Sequence, residues 1–235
     1  TEPPVMQKKF IKLSNKANKP AITATQMLES MTHQPLPTRA EASDVANAIY
    51  DGTSAIMLSG ETAAGKYPIE ALTTMDKIAR RTEKDIDYVK RFKKRDSDDI
   101  PNITSAISHA TCTTAHDLDA SAIVTVTKSG KTARMISKYR PSCPIIAGTT
   151  DKWVERQLNL SWGVIPILID EKNSTDELFD HVIQQAELNN LLQIGDLVAI
   201  TTGVPLGISG TTNLLKVHIV GNFYESPSEE YKIYV

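Results

Sequence analysis

Short apolar runs separated by helix-length amphipathic segments repeat along the second half of this chain, and that alternation limits its fold more than any other feature. Residues 122–127, 144–149, 164–169 and 197–202 read as strands, with helical patterns at 103–118, 132–139, 152–160 and 175–192. The strand runs are apolar almost throughout. That is the pattern of strands covered on both faces, as in a parallel sheet with helices on either side. The run at 215–220 follows 197–202 with no helix between them, which predicts a hairpin-like antiparallel edge. The expected unit is a mostly parallel five-stranded sheet able to fold alone.

The first 88 residues alternate in the same way. Val5, Met6, Ile11 and Leu13 predict a short amphipathic helix over 5–17, and 21–25 a brief strand. Thr38-x-x-Glu41 is a capping box, starting a helix that runs through Val45, Ala46 and Ile49 to a stop at Gly52. A strand at 55–58 follows, then a helix opened by Pro68 and carried by Leu72, Met75 and Ile78. Two strands cannot make a self-covering sheet, so this part needs further β/α units. Charges crowd residues 89–100. The expected division is therefore 1–88, a linker at 89–100, a second domain at 101–221 and an atypical tail at 222–235.

Composition removes several classes. The 235 residues carry a formal charge of −2, which gives no reason to expect nucleic acid or an anionic membrane as partner. No apolar run approaches the roughly 20 residues of a membrane helix, and residues 1–15 lack the apolar core of a signal peptide. Cys112 and Cys143 lack CxxC spacing and read as two buried free thiols in a reducing cytosol, hence a cytoplasmic expectation. Histidines 33, 109, 116, 181 and 218 never pair at i+3 or i+4, so no metal ligands are read. The start without methionine and the polar tail both look like cut or atypical ends.

Polar groups gather where predicted strands end, which is where parallel α/β proteins keep their chemistry. Thr127, Lys128, Ser129, Gly130, Lys131 and Thr132 form one strand-to-helix turn. A P-loop would need glycine at 125, where Thr stands, so that reading fails. Hydroxyls, two lysines and helix N–H groups could still cradle a phosphate, or simply cap the helix beside solvated lysines. The loop after 197–202 carries Gly203, Gly207 and Gly210, which suit close approach to a ligand or a plain surface loop. Thr25-Gln26 and Ser59-Gly60-Glu61 each leave a strand, as active-site or turn residues. Arg39 falls in a first helical turn, where the macrodipole disfavours a cation, and so suggests a contact with a carboxylate on a partner surface.

Several of these segments come in a specific order. Ala24-Thr-Gln-Met-Leu-Glu-Ser-Met31, Pro37-Thr-Arg-Ala-Glu41, Ser43-Asp-Val-Ala-Asn-Ala48 and Ile56-Met-Leu-Ser-Gly-Glu-Thr62 resemble successive signatures of the pyruvate kinase family. Thr127–Lys131, Tyr139-Arg-Pro141 and the loop at 203–213 are similar to its C-terminal domain. The resemblance covers about residues 5–220. It implies an α/β protein made of the last β/α units of a (β/α)8 TIM barrel, followed by the family's effector-binding α/β domain. The implied activity is phosphoryl transfer from phosphoenolpyruvate to ADP, giving pyruvate and ATP, with Mg²⁺ and K⁺, in a homotetramer. Thr25 would bind the enolpyruvate end of the substrate, Ser59 and Glu61 would stand near proton delivery, and Arg39 at a subunit contact. The 127–132 turn, with Gly207 and Gly210, would bind a phosphorylated effector.

The resemblance also implies what this stretch does not carry. The family's catalytic lysine, its Mg²⁺-holding Glu and Asp, its phosphate-gripping arginine and its lid domain precede the matched region. The chain by itself is expected to be inactive, and no Mg²⁺ or K⁺ ligand is assignable in it. The helix near Ser174 lacks the aromatic and arginine that serve fructose-1,6-bisphosphate in some animal members, so a sugar monophosphate, a nucleotide or an inorganic anion stay open. Two readings follow: the C-terminal half of a pyruvate kinase, or a non-catalytic regulatory and assembly module that binds a phosphorylated effector.

Overall fold

A computed structural model describes residues 3–93, 102–172, 174–205 and 212–221. They run α1 (Pro3–Lys16), β1 (Ile22–Thr23), a 3-10 turn (Glu29–Thr32), α2 (Arg39–Asp51), β2 (Ala55–Ile56), α3 (Gly60–Ala63), α4 (Pro68–Glu83) and α5 (Tyr88–Lys93). There follow α6 (Ile103–Asp117), β3 (Ala122–Val126), α7 (Lys131–Lys138), β4 (Ile145–Thr149), α8 (Lys152–Leu158), β5 (Val164–Leu168), α9 (Thr175–Leu188), β6 (Leu197–Gly203) and β7 (Thr212–Ile219). They group into two compact units. The first holds residues 1–100 with 134–142 and 156–164, the second 101–133, 143–155 and 165–235.

In the first unit β1 and β2 are parallel, with Ile22 opposite Ala55 and Thr23 opposite Ile56. The expected strand at 21–25 ends early because Thr25 and Gln26 turn into the left-handed region, at φ 71° and 53°. The capping box of α2 forms as expected: the Glu41 N–H donates to Thr38 Oγ1 (3.3 Å) and the Thr38 N–H to Glu41 Oε2 (2.8 Å). Gly52 ends the helix at φ 86°, and a Cβ there would run into the Arg91 guanidinium. Val45 and Ala48 of α2 pack with Ala71 and Met75 of α4 against Met27, Leu28 and Met31 from the loop after β1. The start of the expected linker is helical instead, since Asp87 Oδ1 accepts the Lys90 N–H (2.8 Å) at the head of α5. Residues 94–100 of that linker and the tail at 222–235 lie outside the described residues.

The second unit holds the predicted five-stranded sheet, in the order β5-β4-β3-β6-β7. Strand β3 runs parallel to β4 and β6, and β7 closes the edge antiparallel to β6. Every residue of β4 is buried, as the unbroken apolar run required. Strand β5 is only partly buried and contains Pro166, which has no ladder donor and fits the edge where it lies. Val124, Ile146, Val198 and Ile200 of the sheet pack with Phe179, Val182 and Ile183 of α9. Gly148 allows that approach, because a Cβ there would stand 2.7 Å from Val182 Cγ2. Cys112 is buried, but Cys143 is only half-buried, so the expectation of two fully buried thiols holds for one of them. Burial raises both thiol pKa values, that of Cys143 to about 11.

Candidate functional site: two strand-end clusters

Because β1 and β2 are parallel and in register, the loops holding Thr25 and Ser59 leave the same end of the pair. Thr25 is exposed, its hydroxyl donating to the Ala24 carbonyl (2.6 Å). A β-branched residue at φ 71° beside a second left-handed residue is a strained turn that ordinary loops avoid. Ser59 heads the single turn of α3 with no side-chain capping bond.

Glu61 is 1% exposed and ties the two loops together. Its Oε1 accepts the Leu28 N–H (3.0 Å) and its Oε2 the Ser59 N–H (2.8 Å). Burial works to raise this carboxyl, but backbone N–H groups, its own with those of Leu28 and Ser59, outweigh it and hold the pKa below the usual range. Glu41 does the same one step outward. Its Oε1 takes the Ser30 N–H (2.7 Å) and its Oε2 the Ser30 hydroxyl (2.6 Å). The capping box thus also anchors the 3-10 turn after β1. Burial again pushes upward, and the bonds from Ser30 and Thr38 win, so Glu41 too is lowered. Arg39 stands exposed at the first position of α2.

The second cluster is the turn between β3 and α7. Thr127 and Thr132 are turned inward, each 6% exposed, while Lys128 and Lys131 are exposed. The Thr127 N–H donates to the Gly148 carbonyl (2.9 Å), and the Thr132 and Thr212 hydroxyls share a hydrogen bond (2.7 Å). Gly130 takes φ 75° in the turn. The Thr132–Thr212 bond joins this turn to the start of β7, just beyond the glycine loop. Gly207 and Gly210 themselves lie outside the described residues. Sequence reasoning placed the hydroxyls together but not their inward turn, which depends on the partner Thr212 eighty residues away. Nor could it find the strain at Thr25, since Thr-Gln carries no turn signal of its own.

Among the described residues, no group of three or more His, Cys, Asp or Glu gathers as a metal site. No helix among these residues is long and apolar enough to cross a membrane.

Parallel β/α units with polar strand-end loops, and a five-stranded α/β sheet in a second unit, define an α/β protein of two units. Comparison with known proteins narrows this. A model of the pyruvate kinase barrel domain matches residues 1–72, and one of the pyruvate kinase alpha/beta domain matches 105–218. The pyruvate kinase of Clostridium acetobutylicum is 55% identical over 217 residues, covering 92% of this chain and 46% of that protein. That of Geobacillus stearothermophilus is 52% identical over 221 residues, covering 94% and 38%. A crystal structure of a pyruvate kinase from Cryptosporidium parvum superposes with a TM-score of 0.85 at 38% identity, covering 92% of this chain and 43% of that one. The chain belongs to the pyruvate kinase family, and it spans less than half the length of these relatives.

Proposed function

We propose that this chain supplies the end of the barrel and the regulatory domain of a pyruvate kinase, an enzyme that moves the phosphoryl group of phosphoenolpyruvate to ADP. The observation that carries this reading is the strained Thr25–Gln26 turn, fastened to the Ser59 loop by buried Glu61 at one end of a parallel strand pair. Such strain clusters at active sites and ligand clamps. In this reading Thr25 hydrogen-bonds the enolpyruvate end of the substrate and Ser59 contributes a hydroxyl to proton delivery. Glu61 keeps both loops in register. Phosphoryl transfer rests on positioning and charge neutralisation, and the cationic and metal-holding groups for that come from the part of the relatives that this chain does not span. The 235 residues alone are therefore inactive. Arg39 belongs to a contact between copies in a homotetramer.

A chimera tests this directly. The matching segment of the Clostridium acetobutylicum enzyme is replaced by this chain, and pyruvate formation is followed in a coupled assay. The chimera should turn over, the 235-residue chain alone should not, and Thr25→Ala in the chimera should lower kcat/KM by about 10–100-fold, the loss of one hydrogen bond to a charged group. A folded, assembled chimera without activity would overturn the reading in favour of a non-catalytic module.

The turn at Thr127–Thr132, with Lys128, Ser129, Gly130 and Lys131, takes the phosphate of an allosteric effector in the same proposal, and Gly207 and Gly210 belong to the same site. Thermal protection of the chain by phosphorylated sugars or nucleotides, reduced in Lys131→Glu, is the expected result. Protection by none of them would sink this part.

A further inference from the structure

The same two strands have an opposite end, and a second polar crevice lies there, within the first unit. Asn18, Lys19 and Pro20 lead into β1, Ser54 leads into β2, and the C-terminal part of α7 with residues 160 and 161 completes the wall of an open crevice. Lys19, Arg134, Lys138 and Arg140 line it, and among the described residues no carboxylate does. Its other lining groups are serine hydroxyls, asparagine amides and two apolar side chains.

Arg140 is the unusual member. It is 5% exposed and sits with its Cζ 4.6 Å from the centroid of the Trp162 ring. Its Nη2 donates to the Gly52 carbonyl at the end of α2 (2.8 Å) and to Asn15 Oδ1 (3.2 Å). Those two bonds account for one nitrogen. Among the described residues, the buried N–H groups on Nε and Nη1 meet no acceptor. Burial, and then the nearby Arg91 charge, push this guanidinium down to about 9, with Tyr88 acting more weakly in the other direction. It stays charged at neutral pH. A buried cation with no acidic partner leaves an electrostatic deficit that an anion bound beside it would offset.

We propose that this crevice is an oxyanion site that takes a phosphate group, as free phosphate or as a small phosphate monoester. The buried guanidinium of Arg140 forms its floor, and Lys19, Arg134 and Lys138 surround the mouth. Guanidinium donors and convergent lysines suit the several acceptor oxygens of a phosphate. The site is separate from both clusters above. It adjoins the entry ends of β1 and β2 while Thr25 and Ser59 leave their exits, and it uses the C-terminal end of α7 while the 127–132 turn uses the other.

The test uses the purified 235-residue chain. It is titrated with inorganic phosphate and separately with glycerol 2-phosphate, against chloride at matched ionic strength, by calorimetry and thermal melting. Wild type should bind one of them saturably and melt higher than in chloride, and the tighter of the two identifies the natural form. The Lys19→Glu/Lys138→Glu variant should bind at least about tenfold more weakly, as loss of charge-assisted contacts requires, with its chloride melt close to wild type. Lys131→Glu, at the far end of α7, should leave this binding intact. Arg140→Met should abolish it if that protein folds, and the lysine pair carries the test if it does not. Equal responses to phosphate and chloride would overturn the proposal. So would binding that survives in the lysine pair, or that disappears in Lys131→Glu alone.

Discussion

At the residue scale, two carboxylates carry more than their exposed neighbours. Glu61 accepts N–H groups from both strand-end loops, so Glu61→Gln puts an amide donor against a backbone donor. A loss of roughly 1–3 kcal/mol in urea unfolding is expected. The pH dependence has a definite sign. The folded pKa of Glu61, like that of Glu41, lies below its unfolded value near 4.5. The stability it contributes is complete above that value and is lost as pH falls through the folded pKa. Melting temperature should therefore drop on the acid side, and less steeply in Glu61→Gln. An identical acid limb would show that the carboxylate is not ionised in the fold. The thiols make the second prediction at this scale. With Cys143 raised to about 11, only on the order of a thousandth of it is thiolate at pH 8. Cys112 is buried and raised as well. Ellman's reagent should react slowly with the native chain and fully once it is unfolded.

At the element scale, local signals worked where they were local. The Thr38–Glu41 box was legible because both partners lie within one turn, and Thr38→Ala should cost about 1 kcal/mol in thermal or urea unfolding. What the pattern could not reveal is that Glu41 also holds Ser30, eleven residues back. Glu41→Ala should thus cost more than Thr38→Ala, and equal losses would deny the second role. Gly148 is a similar case. Nothing near it marks the position as special, yet α9 approaches β4 so closely that a methyl would press on Val182 and Ile169. Gly148→Ala is expected to destabilise by roughly 1–3 kcal/mol through overpacking, measured as a lower denaturation midpoint at unchanged slope. The short lengths of β1 and β2 were equally hidden, because the left-handed turn at Thr25 and Gln26 is held by contacts beyond the segment.

At the scale of the whole molecule, the two compact units share the chain unequally. Residues 134–142 and 156–164 group with the first unit although the second surrounds them in sequence. Ile136 and Leu158 within them are fully buried. A chain cut to residues 101–235 should therefore melt below the intact chain and bind a hydrophobic dye, and an equal melting temperature would show that the second unit needs none of the first. By itself the sequence determined the α/β class, the five-stranded sheet with its antiparallel edge, the capping box and the family. Each of these is written in spacing, periodicity or contiguous motifs, which short-range sterics and the hydrophobic pattern impose. Tertiary structure alone decided that Glu61 is a buried staple, that Thr132 is engaged by Thr212, and that Arg140 keeps buried donors without acceptors among the described residues. Those properties depend on which distant backbone or side chain comes within about 3 Å, and no local pattern encodes that distance.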